Sequence, residues 1–341
     1  MPRQRQSDGQ VSRPPSPPPR GYPAGARGEL DAGLDAYEKR PLTDNRGGNL
    51  AWGESYFLSA LAETYLATGD QRYKDRLSAR FERVLALRDD RVGKVDAFAK
   101  RPLAGWGAEK YSKGQWHVWI AHTGMLLQGP ARLGLHTKAI CESLADTESY
   151  WHDGPGKDEG YFYDPYLEKL LPLNQQNALG SVLVTLQPER AAKLARFFKN
   201  RLRRPEPDRY DWGYWPKETD DEPKRSEDIS HAGLNVAFAA LCCEKKLVFD
   251  KRDMLAFAHT WLRAVRRDES TWADLVSGAP GKSNTHRPAA VAEWLPLLSH
   301  LPPPERKALY DDARTALSGP AAVGSPRGLL GLARLLRGES L

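Results

Sequence analysis

Two kinds of segment alternate along the chain from Asn49 to Leu317. One kind is apolar on nearly every side: residues 49–69, 113–129, 174–186, 228–244 and 286–301. The other confines its apolar residues to one stripe: 70–88, 135–151, 188–204, 251–267 and 303–317. In 70–88 the stripe is Tyr73, Leu77, Phe81, Val84, Leu85 and Leu87, with arginines and aspartates between them. Steps of three and four residues place that stripe on one face of an α-helix. Both kinds therefore read as helices, and strand signals are scarce. A helix apolar all round belongs between two layers, and a helix with one apolar stripe belongs at the surface.

Paired in order, the segments form helical hairpins that recur every roughly 54–64 residues. An inner ring buried on both sides, wrapped by an outer ring facing water, satisfies this pattern. Five hairpins are visible. A sixth could come from the terminal segments 28–40 and 326–338, which would have to meet to close a ring. The connections 89–112, 152–173, 204–227 and 268–285 each run from an outer helix to the next inner helix, so they gather at the end where the inner helices start. Loops of that length are usually functional. Over residues 30–338 the pattern resembles the (α/α) toroid of six-hairpin glycosidases, many polysaccharide lyases and uronate epimerases. The resemblance is architectural, without a motif match, and implies an all-α fold of about six hairpins. An open α-solenoid, the rival, ordinarily has shorter repeats and shorter loops.

Composition narrows this reading. Residues 1–27 are rich in Pro, Arg, Gly and Ser and are expected to form a disordered tail, with 28–341 a single toroid domain. The net charge is +6, and Arg3, Arg5, Arg13, Arg20 and Arg27 lie in that tail, so the balance is weak support for a polyanionic partner. Cys141, Cys242 and Cys243 make no disulfide framework. The N-terminus lacks the apolar run of a secretory signal, and no stretch reaches the ~20 apolar residues of a membrane span. A cytoplasmic protein is expected, export by another route being the alternative. HExxH, CxxC, phosphate-loop and dinucleotide motifs are absent, and His117 and His122 are five residues apart, off one helix face. Neither metal nor cofactor is expected. The basic stretch 195–205 reads as a solvated helix face rather than a nucleic-acid contact.

The starts of the inner helices carry the candidate chemistry. Trp52, Trp116 and Trp212 with His117, Asn174, Asn177, Asn235 and His286 form a candidate substrate-binding set. Indole faces stack on the C–H faces of pyranose rings, and amides and imidazoles match their hydroxyls. Candidate catalytic residues are His231, Tyr214, Glu54, Glu227 and Asp228. In SEDISHAGLN (226–235), Glu227, Asp228, His231 and Asn235 recur at helical spacing, so acid, imidazole and amide share a stripe. Ser226, Glu227 and Asp228 are equally what a helix N-terminus attracts, so a cap accounts for them but not for His231 or Asn235. Glu54 also reads as a helix-start carboxylate, and Tyr214 as a rim packing residue. Two mechanisms fit the set. A lyase or epimerase acting on a uronic-acid glycan needs a base and an acid near one carbon, with amides facing the sugar carboxylate. A glycoside hydrolase needs two carboxyl groups across one bond. A toroid that binds a glycan or a protein without turnover is the third reading.

Overall fold

The computed structural model describes residues 24–154, 156, 158–166, 168–216, 226–268, 270–281 and 288–338. Helix α1 (Ala24–Glu38) is followed by a π-helical turn, Leu50–Glu54, that leads into α2 (Ser55–Thr68). Next come α3 (Gln71–Leu85), the single turn α4 (Asp89–Val92), α5 (Ile120–Arg132) and α6 (Thr137–Asp146). Then follow α7 (Leu173–Leu186), α8 (Pro188–Lys199), α9 (Ile229–Glu244) and α10 (Lys251–His259), the last continued by a π-helical segment, Thr260–Val265. Two 3₁₀ segments, Pro288–Glu293 and Leu295–His300, precede α11 (Pro303–Ala316), the short α12 (Pro320–Val323) and α13 (Pro326–Gly338).

The inner ring runs α2, α5, α7, α9, the 3₁₀ pair and α13, and α13 packs back against α2. The terminal helices supply the sixth hairpin, α13 inside and α1 packed on it. Burial follows the two sequence patterns. Residues 232–242 of α9 are all buried, whereas α3 buries Tyr73, Leu77, Arg80, Phe81, Val84 and Leu85, its part of the apolar stripe plus one arginine. The inner helices approach closely where glycine permits: a Cβ on Gly124 of α5 would collide with the backbone of Leu179 in α7. The turn between α2 and α3 has a stop and a start side by side. Gly69 takes a left-handed φ of 68°, and Asp70 accepts from the backbone N–H of Arg72.

Two segments depart from the sequence reading. The expected helix 113–129 begins only at Ile120, because Gly107–Ala108 (β1) pairs with His117–Val118 (β2) just before it. The expected helix 286–301 is instead two 3₁₀ segments. Pro296, without an N–H to donate, sits where they meet. The long loops are built rather than structureless. Trp151–Asp153 (β3), Gly160–Asp164 (β4) and Lys169–Leu170 (β5) form a meander, and Arg203–Glu206 (β6) pairs with Arg209–Asp211 (β7). The inner helices start together at one end, where Trp52, His122 and His231 meet, and finish together at the other, around Glu63, Arg132 and Arg337. No helix among the described residues is long and apolar enough to cross a membrane.

Candidate active site

Asp228 caps α9. One carboxylate oxygen accepts from the backbone N–H groups of Ser230 and His231, both at 3.1 Å, and from the Ser230 hydroxyl at 2.7 Å. The other oxygen accepts from His231 Nδ1 at 2.5 Å. Cap and imidazole holder are thus one residue. Burial opposes its charge, but the His231 bonds prevail and hold Asp228 well below the usual carboxylate range. With Nδ1 turned onto Asp228, Nε2 is the ring nitrogen left to meet a substrate, and the His231 side chain is 34 % exposed. Aromatic rings surround the dyad. Trp52 lies 5.8 Å from His231 and 6.2 Å from His122, Tyr214 5.6 Å from His231, and Tyr111 5.7 Å from His122.

Glu227 lies one residue before the cap, outside the helix, so it does not share the helical stripe that its spacing suggests. It is fully buried beneath the dyad. Its Oε2 accepts from Trp212 Nε1 and from Asn235 Nδ2, and Asn235 accepts from Asn177 Nδ2 at 2.7 Å. Burial, then the charge of Asp228, pushes its carboxyl well above the usual range. Trp212 is wholly buried among Phe198, Phe257 and Trp294, so it presents no face to a sugar. Asn235 is equally buried within this network.

The Asn177–Asn235 bond fixes the register of the parallel helices α7 and α9. One turn toward the mouth from each stand Asn174 and His231. Asn174 is 1 % exposed, and neither its Nδ2 nor its Oδ1 has a partner among the described residues. Such a group ordinarily has a partner, a bound ligand being one. The neighbouring Leu173 and Gln175 clasp Tyr214: the Leu173 N–H donates to its carbonyl at 3.1 Å and Gln175 Nε2 to its hydroxyl at 3.4 Å. Burial, then Glu227, pushes the Tyr214 phenol up to about 12, so it is protonated at neutral pH.

Three sequence candidates stand elsewhere. Glu54 is turned outward from the inner ring onto Arg80 of α3, at 2.7 and 3.0 Å, in a buried pair that ties the two rings. Trp116 donates to Asp89 at 2.6 Å and lies under Lys94. His117 is buried behind the rim between Asp96 (3.1 Å) and Asp164 (3.4 Å), edge-on to Phe98 and Trp119. Burial disfavours its charge, but Asp164 and Asp96 outweigh it and raise its pKa to about 9. His286 lies outside the described residues.

The structure adds residues that the sequence reading did not select. His122 accepts at Nδ1 from Asn45 (3.1 Å). Burial, then His117 and Lys110, lowers its pKa to about 3, so it is neutral. Glu293 packs on Gly233 of α9 and pairs with Arg327 at 3.1 Å, and Arg327 bonds the Tyr56 hydroxyl. Burial raises the pKa of Glu293 against the pull of Arg327. His122 had a legible signal, an imidazole in the first turn of an inner helix, as in His231. Glu293 comes from a 3₁₀ segment of the inner ring, and Arg327 from the first turn of α13, the helix that closes the ring. Among the described residues no group of three or more His, Cys, Asp or Glu side chains is placed to hold a metal ion.

No family model matches the chain, and no curated protein matches it in sequence. Solved structures do match in fold. An α-1,6-mannanase of glycoside hydrolase family 76 from Salegentibacter sp. HEL1_6 superposes with a TM-score of 0.56 at 12 % identity, covering 93 % of this chain and 98 % of that one. A family 88 glycosyl hydrolase from Bacteroides vulgatus gives 0.57 at 14 % identity, covering 93 % and 99 %. A polysaccharide lyase gives 0.54 at 13 % identity, covering 93 % and 98 %. The chain has the (α/α)₆-toroid fold of these carbohydrate-active enzymes over nearly its whole length.

Proposed function

We propose that the chain is a carbohydrate-active enzyme, a lyase or epimerase acting on a uronic-acid-containing glycan, with His231 as its base. The observation that carries this reading is the Asp228–His231 pair at the toroid mouth, with Nδ1 held and Nε2 directed away from its partner. His231 Nε2 removes the proton from the carbon beside the sugar carboxylate. In a lyase, those electrons form the C4–C5 double bond as the C4–O bond breaks, and the protonated Tyr214 gives its proton to the leaving oxygen. In an epimerase, a proton returns to the same carbon from the opposite face. The unpartnered amide of Asn174 is a donor for the substrate carboxylate, which becomes more charged as the proton leaves.

A glycoside hydrolase is the second reading. It rests on carboxyl groups whose environments drive them apart: Asp228 held ionised, Glu227 and Glu293 pushed toward the protonated form. In the mannanase, replacement of two adjacent aspartates gives an inactive variant, and Glu227–Asp228 is an adjacent acidic pair at this mouth. A panel of uronate glycans, unsaturated uronate oligosaccharides and α-1,6-mannan separates the readings. New ultraviolet absorbance of unsaturated uronates together with reducing ends supports the lyase. Exchange of solvent deuterium into the uronate without cleavage supports the epimerase. Reducing ends alone, or loss of existing unsaturation, moves the assignment to the hydrolase. Binding with no change of any kind leaves a glycan-binding toroid and overturns both.

A further inference from the structure

At the end of the toroid away from the mouth, the C-terminal ends of α2, α5, α9 and α13 close around Glu63. Three arginines converge on that one buried carboxylate: Arg132 at 3.1 Å, Arg334 at 3.3 Å and Arg337 at 2.8 Å. Burial opposes its charge, but Arg132, Arg334 and Arg337 lower its pKa to about 2, so Glu63 is ionised throughout. One carboxylate does not balance three guanidiniums. Glu244 bonds Arg132 at 3.3 Å with its side chain 43 % exposed, and the charge of Glu293, itself paired with Arg327, also reaches Arg334. His300 adds no negative charge, and burial holds its own pKa down. Burial holds the pKa of Arg334 down, and Arg132 adds to this against the pull of Glu63 and Glu293.

Beside the cluster is a cleft of about 30 Å³ lined by the three arginines, the carboxylates of Glu63 and Glu244, Ser299 and His300. A guanidinium has five donors. Arg337 gives one N–H to Glu63 and bonds no other described residue, and its side chain is 32 % exposed. Arg132 spends two, on Glu63 and Glu244. The cleft therefore joins one more guanidinium than its two carboxylates balance with unspent fork-shaped donors, a chemistry that suits an anion with several oxygens.

We propose that this cleft binds a tetrahedral oxyanion, phosphate or sulfate, at a site separate from the mouth. The anion neutralises the excess charge and ties together the ends of the helices whose starts carry Trp52, His122, His231 and Arg327.

The test is titration of the full chain with sodium phosphate, sodium sulfate or sodium acetate, ionic strength being held constant with chloride. Melting temperature and isothermal calorimetry are the readouts. Phosphate and sulfate are expected to bind saturably and raise the melting temperature, and acetate is not. A sugar phosphate that binds more tightly than phosphate assigns the oxyanion to an ester, and equal affinity assigns it to the free ion. R337Q, the most exposed of the three arginines, and R132Q are each expected to weaken phosphate at least ten-fold while the far-ultraviolet spectrum is retained. H231A is expected to bind phosphate as the parent does. An absence of saturable binding overturns the proposal. So do equal effects of phosphate and acetate, unchanged affinity in R337Q, or loss of binding in H231A.

Discussion

His231 is the residue on which the site turns. A helix cap alone explains an aspartate at position 228, but this cap also grips the imidazole. Asp228→Asn keeps the cap oxygen while removing the charge that orients His231. It is expected to lower kcat by about 10²–10⁴, the range of general acid–base catalysis, with little change in KM. Asn174 gives the opposite signature. Its amide has no described protein partner, so Asn174→Ala is expected to alter unfolding free energy by less than about 1 kcal/mol. It should raise KM at least ten-fold, and urea unfolding beside steady-state kinetics reads both. Spacing made the His231 cluster legible. It misplaced Glu227 because the helix starts one residue later, at the cap, and the carboxyl then turns inward to Trp212 and Asn235. It also offered Trp116 and Trp212 as sugar platforms, since the sequence does not say which face of an indole is already covered.

At the scale of elements, the two rings are held by a few buried charges. Glu54 looks catalytic in sequence because it sits beside Trp52 at an inner-helix start. The structure spends it on Arg80, whose guanidinium also donates to the carbonyls of Glu38 and Arg40. Glu54→Gln is expected to destabilise the fold by about 3–5 kcal/mol, the cost of stranding a buried partner, with kcat of the folded fraction unchanged. A loss of kcat at full stability would return Glu54 to the mechanism. His117 ties the loop bearing Asp96 to the strand bearing Asp164. Its folded pKa of about 9 lies above the ordinary histidine value, so its contribution is complete below that ordinary value and is lost as pH rises through about 9. The melting temperature of the parent should fall across pH 6.5–9.5 relative to His117→Gln, and parallel curves would count against the charged pair. The loops that hold these residues were the least legible elements. Strands of two to five residues leave little alternation to read, and the pairing of β1 with β2 is what delays α5.

For the whole molecule, the alternation of all-apolar and striped helices was enough to read two concentric layers. The loop connections were enough to place the starts of the inner helices at one end. Ring closure was not readable, because it depends on α13 meeting α2 across nearly the full chain, through Arg327 on Tyr56 and Arg337 on Glu63. That closure brings Glu293 and Arg327 beside His231 and seals the far end with arginines. Proton transfer between a bound sugar and the Asp228–His231 pair at the mouth is the chemistry proposed for this toroid. The most direct measurement is single-turnover kinetics of His231→Ala against the parent on the best substrate of the panel, with binding affinity and melting temperature taken in parallel. A fall of at least 10²-fold in rate, with affinity within three-fold and the melting temperature held, is the expected result. A variant that binds, folds and turns over like the parent would contradict it.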